Sequence, residues 1–329
     1  MNKRGRFPEC LLHAAQILLL AIGLLGAAAI APSQQVPSGP PTHPPALLAA
    51  ADDLLGEMSR ITGLPIKAPL KKEIRGRAEI RDYLLEDLHA EQTPRELYIQ
   101  EAALKAFGLV SREFDLEKFL ITFYTEQAAG AYDPRRKILF IADWPSPEMQ
   151  KLVLAHELTH ALQDQNFDLR KFLRVARASD DATNARQAVV EGHAMAATMQ
   201  QLLGPVELAS LPSLEALMGA IVNKQLGEFP AFSRAPFFFR LQALFPYAQG
   251  VGFMQRGLAQ GGWKKLHELF LHPPVATKEI FEPQLYFDAQ SLPPVSLPRP
   301  PPLARVSGLR LLTENVMGQL GYYALLGQL

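Results

Sequence analysis

Apolar positions recur at helical spacing along most of the chain. One pattern runs from near Ala46 to about Ile61, and a second covers Ala78 to Leu88. A third follows Thr93 to about Phe107 and carries its own start signal. Thr93-Pro94-Arg95-Glu96 is a capping box with proline at the first helical position. Asp115 is placed to cap a fourth helix through about Gln127. The period then changes. Gly130-Ala131-Tyr132 and Lys137 to Ile141 are short apolar runs on either side of Asp133-Pro134-Arg135-Arg136, which reads as strand, tight turn and strand. Pro65 to Ile74 offers one more short strand. Ser146-Pro147-Glu148 opens a helix that runs through His160 to about Gln165, and Ser179 or Asp180 caps a long one ending near Leu203. From Leu214 the pattern is mostly helical, with an aromatic, apolar stretch from Pro236 to Phe245. Leu292 to Pro302 is proline-rich and extended. Leu309 to Leu329 is apolar and predicts a C-terminal helix. The pattern is that of an α+β chain, mostly helical, with a small sheet.

The first residues follow a different logic. Lys3, Arg4 and Arg6 precede an apolar run from Leu11 to Ala31 that ends in small residues. This is the layout of an export signal, with cleavage expected after Ala28 or Ala29 rather than directly before Pro32. The run is also about as long as a membrane-spanning helix, roughly 20 residues. An uncleaved N-terminal membrane anchor through residues 11–31 therefore stays open. Both readings put the rest of the chain outside the cytoplasm, periplasmic or extracellular. Residues 32–45, rich in Pro, Ser and Gln, read as a linker. The main domain is expected over 46–290, followed by the proline-rich segment and C-terminal helix over 291–329.

Composition narrows the function. The 329 residues are 48% hydrophobic, enough for a packed core, and the formal net charge is zero. A nucleic-acid partner, which favours a basic surplus, is not expected. The single cysteine, Cys10, lies before the apolar run, so neither a lipidation site nor a disulfide in the exported part is available.

The chemistry concentrates in His156-Glu157-Leu158-Thr159-His160. Residues four apart on a helix lie about 40° apart around its axis, so both imidazoles share a face and can converge on one ion. Glu157 sits one step round, near enough to serve as a base without being a ligand. Zinc lowers the pKa of a bound water to about 7, and a neighbouring carboxylate takes its proton. Leu152, Leu154, Leu158 and Leu162 give this helix apolar faces to bury. A lookalike, His267-Glu268-Leu269-Phe270-Leu271-His272, spaces its histidines five apart, about 140° around a helix, so they cannot share an ion there. The third ligand is sought on the next long helix. Glu191, in Val190-Glu191-Gly192-His193-Ala194, is the candidate, with His193 as its rival. Asp164 and Asn184 are candidates to orient the ligands from behind.

The motif, with a downstream Glu191-Gly192-x-Ala194, resembles the gluzincin group of zinc metallopeptidases, the thermolysin-like clan. The string around it, with Gly130-Ala131-Tyr132-Asp133-Pro134 before it and Gly262-Trp263 and Pro273-Pro274 after it, looks like a poorly characterised bacterial family of that clan. The resemblance implies a zincin-like fold with its small sheet packed against the His156 helix. It implies Zn2+ held by His156, His160 and Glu191, Glu157 as general base, and peptide or protein as substrate. It also implies a Tyr or His to stabilise the oxyanion, for which Tyr247 is chosen over Tyr286, His272 and His267, and an edge strand, Gly130–Asp133, that pairs with substrate. The chain departs from the thermolysin pattern in two ways. The spacing from His160 to Glu191 is longer, and Met195 stands where an aspartate is expected. The competing reading is a non-catalytic, zinc-binding or partner-binding envelope protein of the same fold. An intact Glu157 argues against it, because a structural site has no use for a base.

Overall fold

The computed structural model describes residues 44–176, 179–226, 229–288 and 312–327. The expected signal or anchor at 1–31, most of the linker after it, and the proline-rich stretch at 292–302 lie outside these residues. Among the described residues, no helix is long and apolar enough to cross a membrane.

The chain begins with α1 (Pro44–Thr62), β1 (Lys71–Arg75), α2 (Arg77–Glu91), α3 (Pro94–Ala106) and α4 (Leu116–Gln127). Local chemistry starts these helices where the sequence placed them. The Glu96 N–H donates to Thr93 Oγ1 at 3.3 Å and the Thr93 N–H to Glu96 Oε2 at 2.8 Å, which closes the capping box. Asp115 Oδ1 takes the Lys118 N–H at 3.0 Å. The strand expected over 65–74 starts later and runs one residue further, at Lys71–Arg75.

β2 (Gly130–Asp133) and β3 (Ile138–Ala142) form the hairpin. Asp133 Oδ1 accepts the N–H groups of Arg135 and Arg136, and Lys137 takes φ 54° to close the turn. The sheet order is β1-β3-β2, with β1 parallel to β3 and β2 antiparallel to it. All five residues of β3 are buried, as a central strand covered on both faces requires. β2 is an edge, yet its four residues are buried too, because a helix lies against it.

That helix is α5 (Pro147–Phe167), started by Ser146, whose Oγ accepts the Met149 N–H at 3.3 Å. It packs on β2 and β3 and on α1. Every residue from Leu152 to Asp164 is buried, so it is a core helix without a wet face. After the short α6 (Leu169–Arg174) comes α7 (Asp180–Leu203), capped by Ser179. The remaining elements are α8 (Leu214–Leu226), α9 (Pro230–Ser233), α10 (Phe237–Leu271), α11 (Thr277–Phe281), α12 (Pro283–Phe287) and α13 (Gln319–Leu326). Sheet, α5, α7 and α10 stack in that order. The architecture is α+β, mostly helical, with its small sheet against the His156 helix.

Two glycine features shape this stack. At Gly192 and Gly250 the backbones of α7 and α10 touch, and a Cβ on Gly192 would sit 2.5 Å from the Gly250 carbonyl. In α10, Gly262 takes φ 61° and ψ −157°, which breaks the helix and redirects the chain from Trp263 onward.

Candidate metal centre

α5 and α7 face each other across the core, and three of their side chains meet. His156 Nε2 and His160 Nε2 are 2.8 Å apart. Glu191 Oε2 is 3.2 Å from the first and 3.4 Å from the second. The triangle has nearly the edges of a zinc tetrahedron, about 3.3 Å for bonds of about 2.0–2.1 Å. Among the described residues this is the one group of three or more His, Cys, Asp or Glu side chains able to hold a metal ion. Two neutral imidazoles and one carboxylate are a donor set that suits zinc. His156, His160 and Glu191 are 0%, 4% and 1% exposed, so a charge gathered here acts in a low dielectric.

Glu157 lies on the sheet side of α5. Its Oε2 accepts the Tyr132 N–H of β2 at 2.8 Å. Tyr132 also donates its hydroxyl to Asp164 Oδ2 at 2.7 Å, and Lys137 Nζ reaches the same oxygen at 2.5 Å. The edge strand is thus fixed to α5 at two levels, with one of its outward N–H groups on the carboxylate beside the metal triad.

Burial and neighbouring charge set the protonation of the cluster. Burial pushes Glu157 up to about 8, and the His160 charge opposes it. Burial works against a charge on His160, but the Glu191 carboxylate outweighs it and raises that pKa. Burial likewise resists the charge on Glu191, and both histidines pull it below the usual carboxylate range. Burial and then the His160 charge lower His156 to about 4. A proton therefore sits where a cation would sit.

Two expectations about the supporting residues are corrected. Asp164 does not orient His160. It is occupied by Tyr132, Lys137 and the Leu169 N–H, and Gln163 takes its place, with Oε1 2.9 Å from His160 Nδ1. Asn184 does not orient Glu191 either. Gln187, one turn before Glu191, donates from Nε2 to Glu191 Oε1 at 3.0 Å. Both glutamines were legible as i+3 and i−4 neighbours of the ligands, the pairs that meet on a helix face.

His193 stands outside the triad. Its Nδ1 is 3.1 Å from Gln163 Nε2, and its ring packs edge-on against Trp263 and Phe270. Tyr247 is buried on α10, its ring centroid 6.3 Å from that of His156. The Gly192–Gly250 contact places it there, since Gly250 lies one turn beyond Tyr247. The side chains of two other oxyanion candidates, His267 and Tyr286, are engaged elsewhere. His267 Nε2–H donates to the Thr62 carbonyl at 2.9 Å, and the Tyr286 hydroxyl donates to the His272 carbonyl.

Residues 104–198 match the family model of the IrrE N-terminal-like domain, peptidase family M78, a zinc-metallopeptidase-like family. The match covers under a third of the chain and spans α4 to α7, including all three residues of the triad. No curated protein and no solved structure matches the chain.

Proposed function

We propose that this chain is a zinc-dependent hydrolase of gluzincin type that cleaves peptide bonds outside the cytoplasm. The observation that carries the reading is the convergence of His156, His160 and Glu191 with Glu157 beside them on the same helix. The family match over residues 104–198 supports a metallopeptidase-like activity, and the apolar run at 11–31 supports export or anchoring. His156 Nε2, His160 Nε2 and Glu191 Oε2 would hold the ion. Bound zinc would supply a Lewis acid and a nucleophilic water at neutral pH.

The chain's own groups do the rest. Glu157 has one oxygen on the Tyr132 N–H, which leaves Oε1 to take a proton and later return it to the leaving amine. Tyr247 is the donor assigned to the developing oxyanion. The β2 strand, expected to pair with substrate, is buried against α5 and gives its Tyr132 N–H to Glu157, so its part is to hold the base in place.

One observation favours the competing, non-catalytic reading. The triad is almost wholly buried, as a structural zinc site often is. Glu157 argues against it, because burying a fourth ionisable group at 1% exposure is costly, and binding a metal does not by itself require it. Metal analysis and a peptide-library digest test the choice. Stoichiometric zinc is expected, and Glu157→Gln should keep the zinc and abolish cleavage. A zinc-free wild-type protein, or cleavage untouched by Glu157→Gln, refutes the hydrolase. Stoichiometric zinc with no cleavage of any peptide establishes the binding role instead.

A further inference from the structure

The geometry points to Gln163 as a positioning residue that fixes which nitrogen of His160 faces the metal, by relaying the polarity of a backbone carbonyl on the neighbouring ligand helix. This inference rests on the zinc-site reading above and adds to it a determinant of ligand orientation.

Gln163 is fully buried and uses its amide in three places. Nε2 is 2.9 Å from the carbonyl oxygen of Val190 and 3.1 Å from His193 Nδ1, while Oε1 is 2.9 Å from His160 Nδ1. An amide can be turned over, and its two ends look alike in shape. Here one partner removes that freedom. The Val190 carbonyl only accepts, so the NH2 end must face it. Oε1 is then left facing His160, and an amide oxygen only accepts. His160 must therefore carry a proton on Nδ1, which leaves Nε2 as the nitrogen that offers a lone pair once its own proton is lost. That nitrogen is the one 2.8 Å from His156 Nε2 and 3.4 Å from Glu191 Oε2.

The same logic assigns His193. Its Nδ1 accepts the second amide proton, so its own proton is on Nε2, which has no hydrogen-bond partner and is enclosed by aromatic rings. The break at Gly262 is what brings Trp263 onto that ring. His193 therefore serves as an acceptor that holds the amide in place. Val190 immediately precedes Glu191, so the helix that supplies the carboxylate ligand also sets the tautomer of a histidine ligand on α5. A ligating histidine more often donates to a carboxylate or carbonyl. In this chain the partner is a neutral amide, which adds no charge to a buried site that already holds Glu157 and Glu191.

Two substitutions separate this role from plain packing. Gln163→Met keeps the bulk and loses both functions. Gln163→Glu loses the bond to Val190 but keeps an acceptor for the His160 Nδ1–H. Both should melt below wild type. Zinc affinity, read by chelator competition on the full chain, should fall about 10–100-fold in Gln163→Met, the usual range for such partners. In Gln163→Glu it should stay within a few-fold of wild type. Equal affinity in wild type and Gln163→Met overturns the inference, and so does an equal fall in both variants. Nitrogen NMR of the wild-type protein supplies a test that needs no variant and no metal. With zinc bound, or without it above the pH at which the ring becomes neutral, His160 should carry its one proton on Nδ1, and an unprotonated Nδ1 overturns the relay. A wild-type chain that takes up no zinc defeats the hydrolase reading instead, and the relay is then judged on the NMR signal.

Discussion

Gly192→Ala perturbs the candidate site without touching any of its side chains. An added Cβ would lie 2.5 Å from the carbonyl carbon and oxygen of Gly250 and 2.9 Å from its Cα, whereas ordinary contact begins at 3.4 Å. The obstructing atoms are backbone, so no rotamer change relieves the clash, and α7 and α10 must separate by about 1 Å. Overpacking of this kind costs about 1–3 kcal/mol. Alanine's better helix propensity returns about 0.5–1 kcal/mol. A net loss of up to about 2.5 kcal/mol lowers Tm by up to about 10 °C in a chain of this size. The site is displaced as well. Glu191 adjoins Gly192 on α7, and Tyr247 precedes Gly250 by one turn of α10. A misplacement of about 1 Å costs about 100-fold in rate when it strikes a reacting group. Gly56→Ala in α1 is the control. A Cβ there meets nothing within 4 Å, so it should stabilise by about 0.4–1 kcal/mol. Thermal melts with and without added zinc read the stability, and chelator competition reads the site. If Gly192→Ala melts at or above wild type and binds zinc equally well, the close helix contact does not position Glu191.

Three further outcomes follow from the same geometry. Tyr247→Phe keeps the ring and should keep zinc, but should lower kcat about 100–1000-fold if the hydroxyl stabilises the oxyanion; an unchanged kcat removes Tyr247 from the reaction. In the metal-free protein, Glu191 raises the pKa of His160 and burial raises that of Glu157 to about 8, so both hold protons at neutral pH. A raised pKa means the proton is bound below it. Zinc must displace the proton on His160, and its affinity should climb about tenfold per pH unit for each proton released, from pH 6 towards 8; calorimetry in buffers of different ionisation heat counts those protons, and a flat affinity contradicts the assignment. Arg135→Ala removes the guanidinium that faces Asp87, Glu91 and Asp133, whose side chains are 7%, 10% and 1% exposed. Stranding buried carboxylates costs about 3–5 kcal/mol, so an unaltered denaturant midpoint shows that this clamp on the hairpin carries no weight.

The sequence by itself determined whatever is settled within a few residues. Thr93, Asp115, Ser146 and Ser179 cap their own helices through bonds three residues long. The hairpin turn follows from Asp133 and the residues just after it. His156 and His160 share a face because of helix pitch, and the five-residue spacing of His267 and His272 forbids the same arrangement. Glu191 was legible as a candidate on the next long helix, and the resemblance implied it as the ligand. Its distance from the histidines is set by how two helices pack, and no local period encodes that. Tertiary structure alone decided the supporting contacts. Asp164 had the spacing to serve His160, yet the hairpin places Tyr132 and Lys137 on it first. Gln163 won that role because Val190 O and His193 lie across the helix interface and fix its amide. Gly192 and Gly250, 58 positions apart, reveal their meaning only where two backbones touch. Hydrogen-bond polarity and steric contact between segments distant in the chain depend on the assembled core, whereas caps, turns and shared helix faces are already present in the local order of residues.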